Sequence, residues 1–448
     1  MTPLHMWRLL FQFCNFLRAL VVMRRATLWP IVVLCVFSSS LGFPWPDDVI
    51  QHSGYITVNT THSGEMFYWM FESRANPERD PLILWLTGGP GCASDLALLA
   101  ENGPFLMNET TKELYYNEFG WNSFANLLYI DQPLGTGFSY LTNQKKYVTN
   151  ESEVAADLLY FMAQFYSRYP QYANADLYII GESYAGHYIP ATAALMLKTD
   201  SQFSKNLKGI AIGNGWVDPL RQYYSYGSFA YSQGLLSEEQ YAAANASFFP
   251  CKEFIEKRNL HFAFTVCQGV LERIKVAADF NLKRRINIYD LRKSCPKPPL
   301  CYNFDAIHEF LNRQDVQTAL GVKKVWNGCS PLVHLNMLND WIFSFHDDVA
   351  AALNAGVRVV VYSGKYDLVC NYFGGSNWVS NMNWRGQTNY NKALVKKWFV
   401  NGTEAGEAQS ADGLTFLAVN DAGHMVPMDQ RQNALDIVNR LLNNLSFS

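Results

Sequence analysis

Six short apolar runs, five of them ending in Gly or Asp and the first followed by Thr87-Gly88, set the strongest limit on how this chain folds. They are PLILWL (Pro81–Leu86), NLLYID (Asn126–Asp131), DLYIIG (Asp176–Gly181), LKGIAIGNG (Leu207–Gly215), VRVVVYSG (Val357–Gly364) and LTFLAVND (Leu414–Asp421). Strands that read as continuous apolar runs are buried on both faces, and helical patterns follow them. That alternation predicts an α/β fold with a mainly parallel central sheet covered by helices. Ligands of such sheets bind at the carboxyl ends of the strands, so residues just past those ends are the first candidates for chemistry. Between about Trp216 and Cys329 the pattern changes to aromatic and charged residues with clustered cysteines. This stretch, 216–329, is expected to be a largely helical cap insertion. A formal charge of -3 over 448 residues offers no extended basic surface, so a nucleic-acid partner is not expected.

The first 42 residues carry the signs of export. Arg24 and Arg25 precede an apolar run, Ala26–Phe37, and Ser38, Ser39, Ser40 and Gly42 supply small residues, the pattern of a cleaved signal peptide. An uncleaved signal anchor is the alternative, and Met23 is an alternative start. After cleavage no stable membrane span is expected, and the mature domain is expected to cover 43–448. Seven cysteines lie beyond the leader: Cys92, Cys251, Cys267, Cys295, Cys301, Cys329 and Cys370. The odd count leaves at least one thiol free or intermolecular. Cys295 and Cys301 bracket a turn-rich loop that a disulfide could close, and no histidine stands nearby at zinc-ligand spacing, so neither a metal nor a cofactor is expected. Sequons at Asn59, Asn108, Asn150, Asn245, Asn401 and Asn444 are usable acceptors in a secretory chain. The basic cluster Lys283, Arg284, Arg285 is expected to be a solvated helix face, with a processing site as the sharper alternative.

The run DLYIIGESYAGHYIPA stops abruptly at Gly181-Glu182-Ser183. A serine on a sharp turn between strand and helix presents its hydroxyl outward, and small neighbours such as Gly181 and Ala185 leave room for that turn. Gly186 stands one place later than the usual second glycine. A serine hydroxyl needs a base, and the base needs an orienting carboxylate. Asp367 follows VRVVVYSG and His424 follows LTFLAVND, and the order Ser, Asp, His is that of α/β-hydrolases. For the oxyanion hole, WLTGGPGC (Trp85–Cys92) supplies a glycine turn after a buried strand, and the N–H groups of Gly89 and Tyr184 are the expected donors.

With WLTGGPGCAS, ENGPF, DQPLGTGFSY, GESYAGHYIPA, IGNGWVDPL, YSGKYDLVCN and NDAGHMVPMDQ in order, the chain resembles the serine carboxypeptidase family over about Val49 to Leu445. The resemblance implies an α/β-hydrolase fold and release of C-terminal residues from peptides and proteins through an acyl-enzyme. It also implies that Gly88, Glu101 and Glu182 recognise the substrate's carboxylate. Two carboxyls can face an anion only if they hold a proton, so acidic working conditions follow. Thr87 stands where many members carry asparagine. By matching positions Tyr184, Tyr289, Trp341, Cys370 and Met425 line side-chain pockets, and Leu96 and Ala100 make the leaving-residue pocket apolar. Bridges Cys92–Cys329 and Cys295–Cys301 are implied, leaving Cys251–Cys267 and a free Cys370. The expected location is the secretory route, with a lysosome or vacuole-like compartment favoured over secretion. Two rival readings stand beside this one: an acyltransferase that hands the acyl group to an alcohol, and a non-enzymatic binding protein on a hydrolase fold.

Overall fold

The computed structural model describes residues 45–46, 49–143, 146–199 and 202–447; the expected leader lies outside them. All six apolar runs are strands. The main sheet contains β1 (Gln51–Asn59), β2 (Ser63–Phe71), β3 (Leu82–Leu86), β4 (Asn126–Ile130), β5 (Leu177–Glu182), β6 (Leu207–Gly213), β7 (Arg358–Gly364), β8 (Lys396–Val400), β9 (Thr403–Ala411) and β10 (Leu414–Val419). Their spatial order is β1-β2-β4-β3-β5-β6-β7-β10-β9-β8, with a two-residue strand, Tyr140–Leu141, added beside β2. The six predicted runs form one uninterrupted parallel block, β4-β3-β5-β6-β7-β10. Antiparallel hairpins close both sides of it.

Alternate residues of each central strand feed two separate cores. Leu82, Leu84 and Leu86 enter one, while Ile83 and Trp85 enter the other. Val359 and Val361 again part from Val360 and Tyr362. The period-2 geometry of a strand produces this split, and burial on both faces is why these segments read as unbroken apolar runs. Helices α1 (Glu151–Arg168) and α2 (Ala185–Lys198) precede and follow β5. The Asn150 side chain caps α1 by accepting from the Glu153 N–H at 3.1 Å.

Between β6 and β7 lie α3 (Pro219–Ser232), α4 (Glu238–Glu256), α5 (Leu260–Leu282) and shorter helices, with no sheet strand among the described residues of that stretch. A Cys251–Cys267 disulfide staples α4 to α5. The basic cluster departs from the expected helix face. Leu282 is the last residue of α5, Lys283 takes a left-handed φ of 52°, and the half-buried Arg284 donates to the carbonyls of Leu291 and Lys293, each at 2.8 Å. Arg284 therefore ties down the following loop. No helix among the described residues is long and apolar enough to cross a membrane.

Two pairs of buried carboxyls brace this frame. Asp131 accepts from the N–H groups of Ser94 (3.1 Å) and Phe138 (2.7 Å), and Asp95 accepts from the Trp326 indole at 3.0 Å. Burial, then the neighbouring Asp131, pushes Asp95 well above the carboxylate range, and burial raises Asp131 to about 6. Asp340 accepts from the Glu151 N–H at 3.1 Å; burial raises Asp340 to about 7 and, with Asp340 beside it, holds Glu151 well above its ordinary value. An acid whose pKa is raised on folding stabilises the fold fully below its unfolded pKa, near 4, and that contribution is lost as pH rises through the folded value. The melting temperature is therefore expected to fall by roughly 5 °C or more between pH 5 and pH 8, and Asp340→Asn is expected to shallow the slope. Scanning calorimetry across that range checks this, and a flat profile would contradict it.

Candidate active site

Ser183 follows β5 directly and has a φ of 63°, a left-handed value that is strained for a non-glycine residue. The turn is clasped from the end of β6: the Ser183 N–H donates to Gly213 O at 3.0 Å, and Trp216 N–H donates to Ser183 O at 2.9 Å. Space around it is tight. A Cβ at Gly181 would lie 2.0 Å from Leu86 O, and one at Gly186 would lie 2.5 Å from Trp216 O. Gly186 is thus a working part of this elbow, because it lets α2 approach the Trp216 backbone.

Asp367 and His424 lie past the ends of β7 and β10 and are hydrogen-bonded, His424 Nδ1 to Asp367 Oδ2 at 2.8 Å. Asp367 is fully buried and meets three further donors: the Asn214 amide at 2.8 Å and the N–H groups of Val369 (3.0 Å) and Cys370 (3.2 Å). The His424 N–H donates to Tyr289 O at 2.7 Å, and the two rings meet edge to face at 5.2 Å. Ser183 and His424 line the same cavity, and no hydrogen bond joins their side chains among the described residues. Nucleophile–base contacts commonly tighten only when substrate is bound.

The glycine turn after β3 comes close to the elbow, since a Cβ at Gly88 would sit 2.3 Å from the Tyr184 nitrogen. Gly89 has a φ of 113°. Among the described residues the N–H groups of Gly89 and Tyr184 have no protein acceptor, which leaves them available to an incoming oxygen. The Cys92–Cys329 disulfide fixes the turn, and flanking bonds from Ala93 N–H to Gly328 O (2.7 Å) and Ser330 N–H to Gly91 O (2.8 Å) reinforce it. All three expected bridges are present and Cys370 is free.

Glu101 stands in a π-helical turn, Leu98–Asn102, and Glu182 is the last residue of β5. The two carboxyls are buried next to each other, within reach for one, when protonated, to donate to the other. Burial pushes Glu101 up to about 8; burial and then the Glu101 charge hold Glu182 well above the carboxylate range. One oxygen of each, Oε2, has no hydrogen-bond partner among the described residues. Magnitudes decide the charge state. Keeping a glutamate protonated at pH 5 costs about 1 kcal/mol, whereas burying its unpaired charge costs several, so the proton stays.

These groups converge on a cavity of about 520 Å³ whose wall includes Thr87, Gly88, Gly89, Leu96, Glu101, Glu182, Ser183, Tyr289, His424 and Met425. Thr87 Oγ1 accepts from the Trp85 indole at 2.9 Å, which leaves its own hydrogen to donate. Tyr184, Trp341, Cys370 and Ala100, expected to line side-chain pockets, are not part of that wall. The Trp341 ring stacks on Tyr184 at 5.3 Å, and the buried Cys370 thiol has its pKa raised by burial. Sequence reasoning did not select Pro299, Leu300, Tyr302, Phe304, His334 or Leu335, which also line the cavity. Four of them lie in or beside the loop closed by Cys295–Cys301, the available signal for them. Asn214 was also missed, although IGNG ends a strand of the parallel block.

A parallel sheet carrying a strained serine, a carboxylate-held histidine and free N–H donors defines a serine hydrolase of the α/β type. The model of the family described as "Serine carboxypeptidase" matches residues 42–444. Serine carboxypeptidase-like 48 of Arabidopsis thaliana is 40% identical over 409 residues, covering 89% of this chain and 79% of that protein. Serine carboxypeptidase S10 family member 1 of Dictyostelium discoideum is 38% identical over 419 residues, covering 92% and 99%. Among solved structures, Kex1(Δ)p, a prohormone-processing carboxypeptidase from Saccharomyces cerevisiae, superposes with a TM-score of 0.80 at 27% identity, covering 89% of this chain and 93% of that one. The chain belongs to the serine carboxypeptidase family.

The elbow's packing gives a paired test. Gly186→Ala should cost about 1–3 kcal/mol of stability and lower turnover, because the neighbour that must yield is the backbone that clasps Ser183. Gly269→Ala, on α5 with nothing within 4 Å, should be neutral or stabilising. Denaturant melts and initial rates on both variants check this; equal effects would contradict it.

Proposed function

We propose that this chain removes single residues from the C-termini of peptides and proteins, working best in acid. The observation that carries this reading is the buried Glu101–Glu182 pair beside Ser183 in one cavity. Protonated, the pair donates to a substrate carboxylate, with the Thr87 hydroxyl and the Gly88 backbone beside it. Deprotonated, it repels that carboxylate. Ser183 Oγ attacks the last peptide carbonyl while His424 Nε2 takes its proton, with Asp367 holding Nδ1 and so fixing the tautomer. Negative charge on the carbonyl oxygen is met by the N–H groups of Gly89 and Tyr184. His424 then gives its proton to the leaving nitrogen, the terminal residue departs, and water activated by the same histidine hydrolyses the acyl-enzyme.

Apolar and aromatic groups line the same cavity as the carboxyl pair, among them Leu96, Tyr289, Leu300, Tyr302 and Met425. They favour a bulky apolar leaving residue. Export through the secretory route to an acidic compartment fits both the disulfides and the carboxyl chemistry, with residues 1–42 as the removable leader and the helical stretch between β6 and β7 as the cap.

The raised pKa values fix the sign of the pH dependence. Below about 8 Glu101 holds its proton, so KM for a blocked dipeptide with a free C-terminus should rise at least about tenfold from pH 5 to pH 8, the direction expected when a donor becomes a like charge. The C-terminally amidated dipeptide should be cleaved poorly at pH 5 and show no such rise. Glu101→Gln should flatten the KM profile, and Ser183→Ala should abolish release of the free amino acid. Equal cleavage of both substrates would remove carboxylate recognition; activity in Ser183→Ala would remove the triad. Transfer to an added alcohol at the expense of hydrolysis would favour the acyltransferase reading.

A further inference from the structure

Among the described residues only two side chains hydrogen-bond Asp367: His424 and Asn214. Asn214 is fully buried, immediately after β6, with a left-handed φ of 41° that asparagine tolerates better than most residues. Every polar group of its side chain is used. Oδ1 accepts from the Gly364 N–H at 3.3 Å, Nδ2 donates to Asp367 Oδ2 at 2.8 Å, and its backbone N–H donates to Tyr362 O at 2.7 Å. The amide's orientation is fixed by this network, because a flipped amide would set an oxygen against the carboxylate and an NH2 against the Gly364 N–H. The adjoining residues hold the nucleophile: Gly213 O accepts from Ser183 N–H, and Trp216 N–H donates to Ser183 O. One four-residue segment thus touches the serine after β5 and the carboxylate after β7.

We propose that Asn214 is a positioning residue of the active site, whose amide fixes the Asp367 carboxylate toward His424. This rests on the assignment of Ser183, Asp367 and His424 above. The carboxylate must face the ring nitrogen if it is to hold the imidazolium that forms as Ser183 attacks, and donors to charged groups are the stronger class of hydrogen bond. The titratable groups around Asp367 are His424, Cys370, Glu182, Tyr226, Tyr289 and Tyr302. At acidic pH the thiol, the phenols and Glu182 are neutral, so apart from His424 the carboxylate is held in place by hydrogen-bond donors. Asn214 is the one such donor that comes from a side chain.

Two substitutions separate this role from simple bracing. Asn214→Leu keeps the branched outline and removes the amide; kcat should fall about 10- to 100-fold with KM for a blocked dipeptide within about twofold. Asn214→Asp keeps the shape, and when protonated it still donates to Asp367, so its activity relative to the parent protein should climb as pH falls from 7 to 4. Thermal melts accompany each variant, and Ser183→Ala is measured alongside. An Asn214→Asp ratio that stays constant with pH, or Asn214→Leu with parental kcat, would overturn the proposal while an inactive Ser183→Ala leaves the triad standing. Activity in Ser183→Ala would overturn both.

Discussion

The site depends on how β6 ends. The nucleophile turn follows β5 and the carboxylate loop follows β7, two strands that never touch because β6 lies between them. Residues Gly213 to Trp216 bridge the gap with backbone bonds to Ser183 and a side-chain bond to Asp367. The strain in the Ser183 backbone, of order 1–3 kcal/mol for such a conformation, persists because both its N–H and its carbonyl are already bonded to this segment. Gly186 completes the clasp by allowing α2 against the Trp216 backbone. The serine is thus held through its neighbours, and its hydroxyl is left for chemistry.

A second constraint acts through desolvation. Glu101, Glu182, Asp95, Asp131, Glu151 and Asp340 are all buried with raised pKa values. In each case a proton is the cheaper way to enter the interior at mildly acidic pH. The same physics therefore sets both the expected loss of stability as pH rises and the expected weakening of carboxylate binding. On the proposed function, activity and fold share one pH window because they share one mechanism.

The parallel block was legible in the sequence because strands buried on both faces admit almost no polar residue, and each catalytic candidate lay where such a strand stopped. The three disulfides and the carboxyl pair came through family resemblance; spacing alone left the bridges open. What escaped were contacts made by loops. Pro299, Leu300, Tyr302 and Phe304 reach the cavity because a disulfide folds their loop back, and no periodicity records that. Arg284 sat in a charge run that suggested a helix face, yet the helix ends one residue before the run begins, and carbonyls of the next loop claim the guanidinium. Asn214 was visible within IGNG, but an asparagine after a strand usually serves a turn, and its partner is 153 residues away.

Three carboxyls, close enough to influence one another electrostatically, are given opposite tasks by their surroundings. Asp367 meets four donors, from His424, Asn214, Val369 and Cys370. Glu101 and Glu182 meet each other, and each leaves an oxygen without a partner among the described residues. Donors favour the charged form and their absence favours the neutral one. In the proposed mechanism the donors around Asp367 orient it toward His424, so that one carboxyl supports an imidazolium while the other two receive an anionic substrate. Differing surroundings are how a site separates the roles of its carboxyls. Here the separation is built from what ends each strand: the Glu101–Glu182 pair is sealed against the apolar wall beyond β5, and Asp367 is handed the amide at the end of β6.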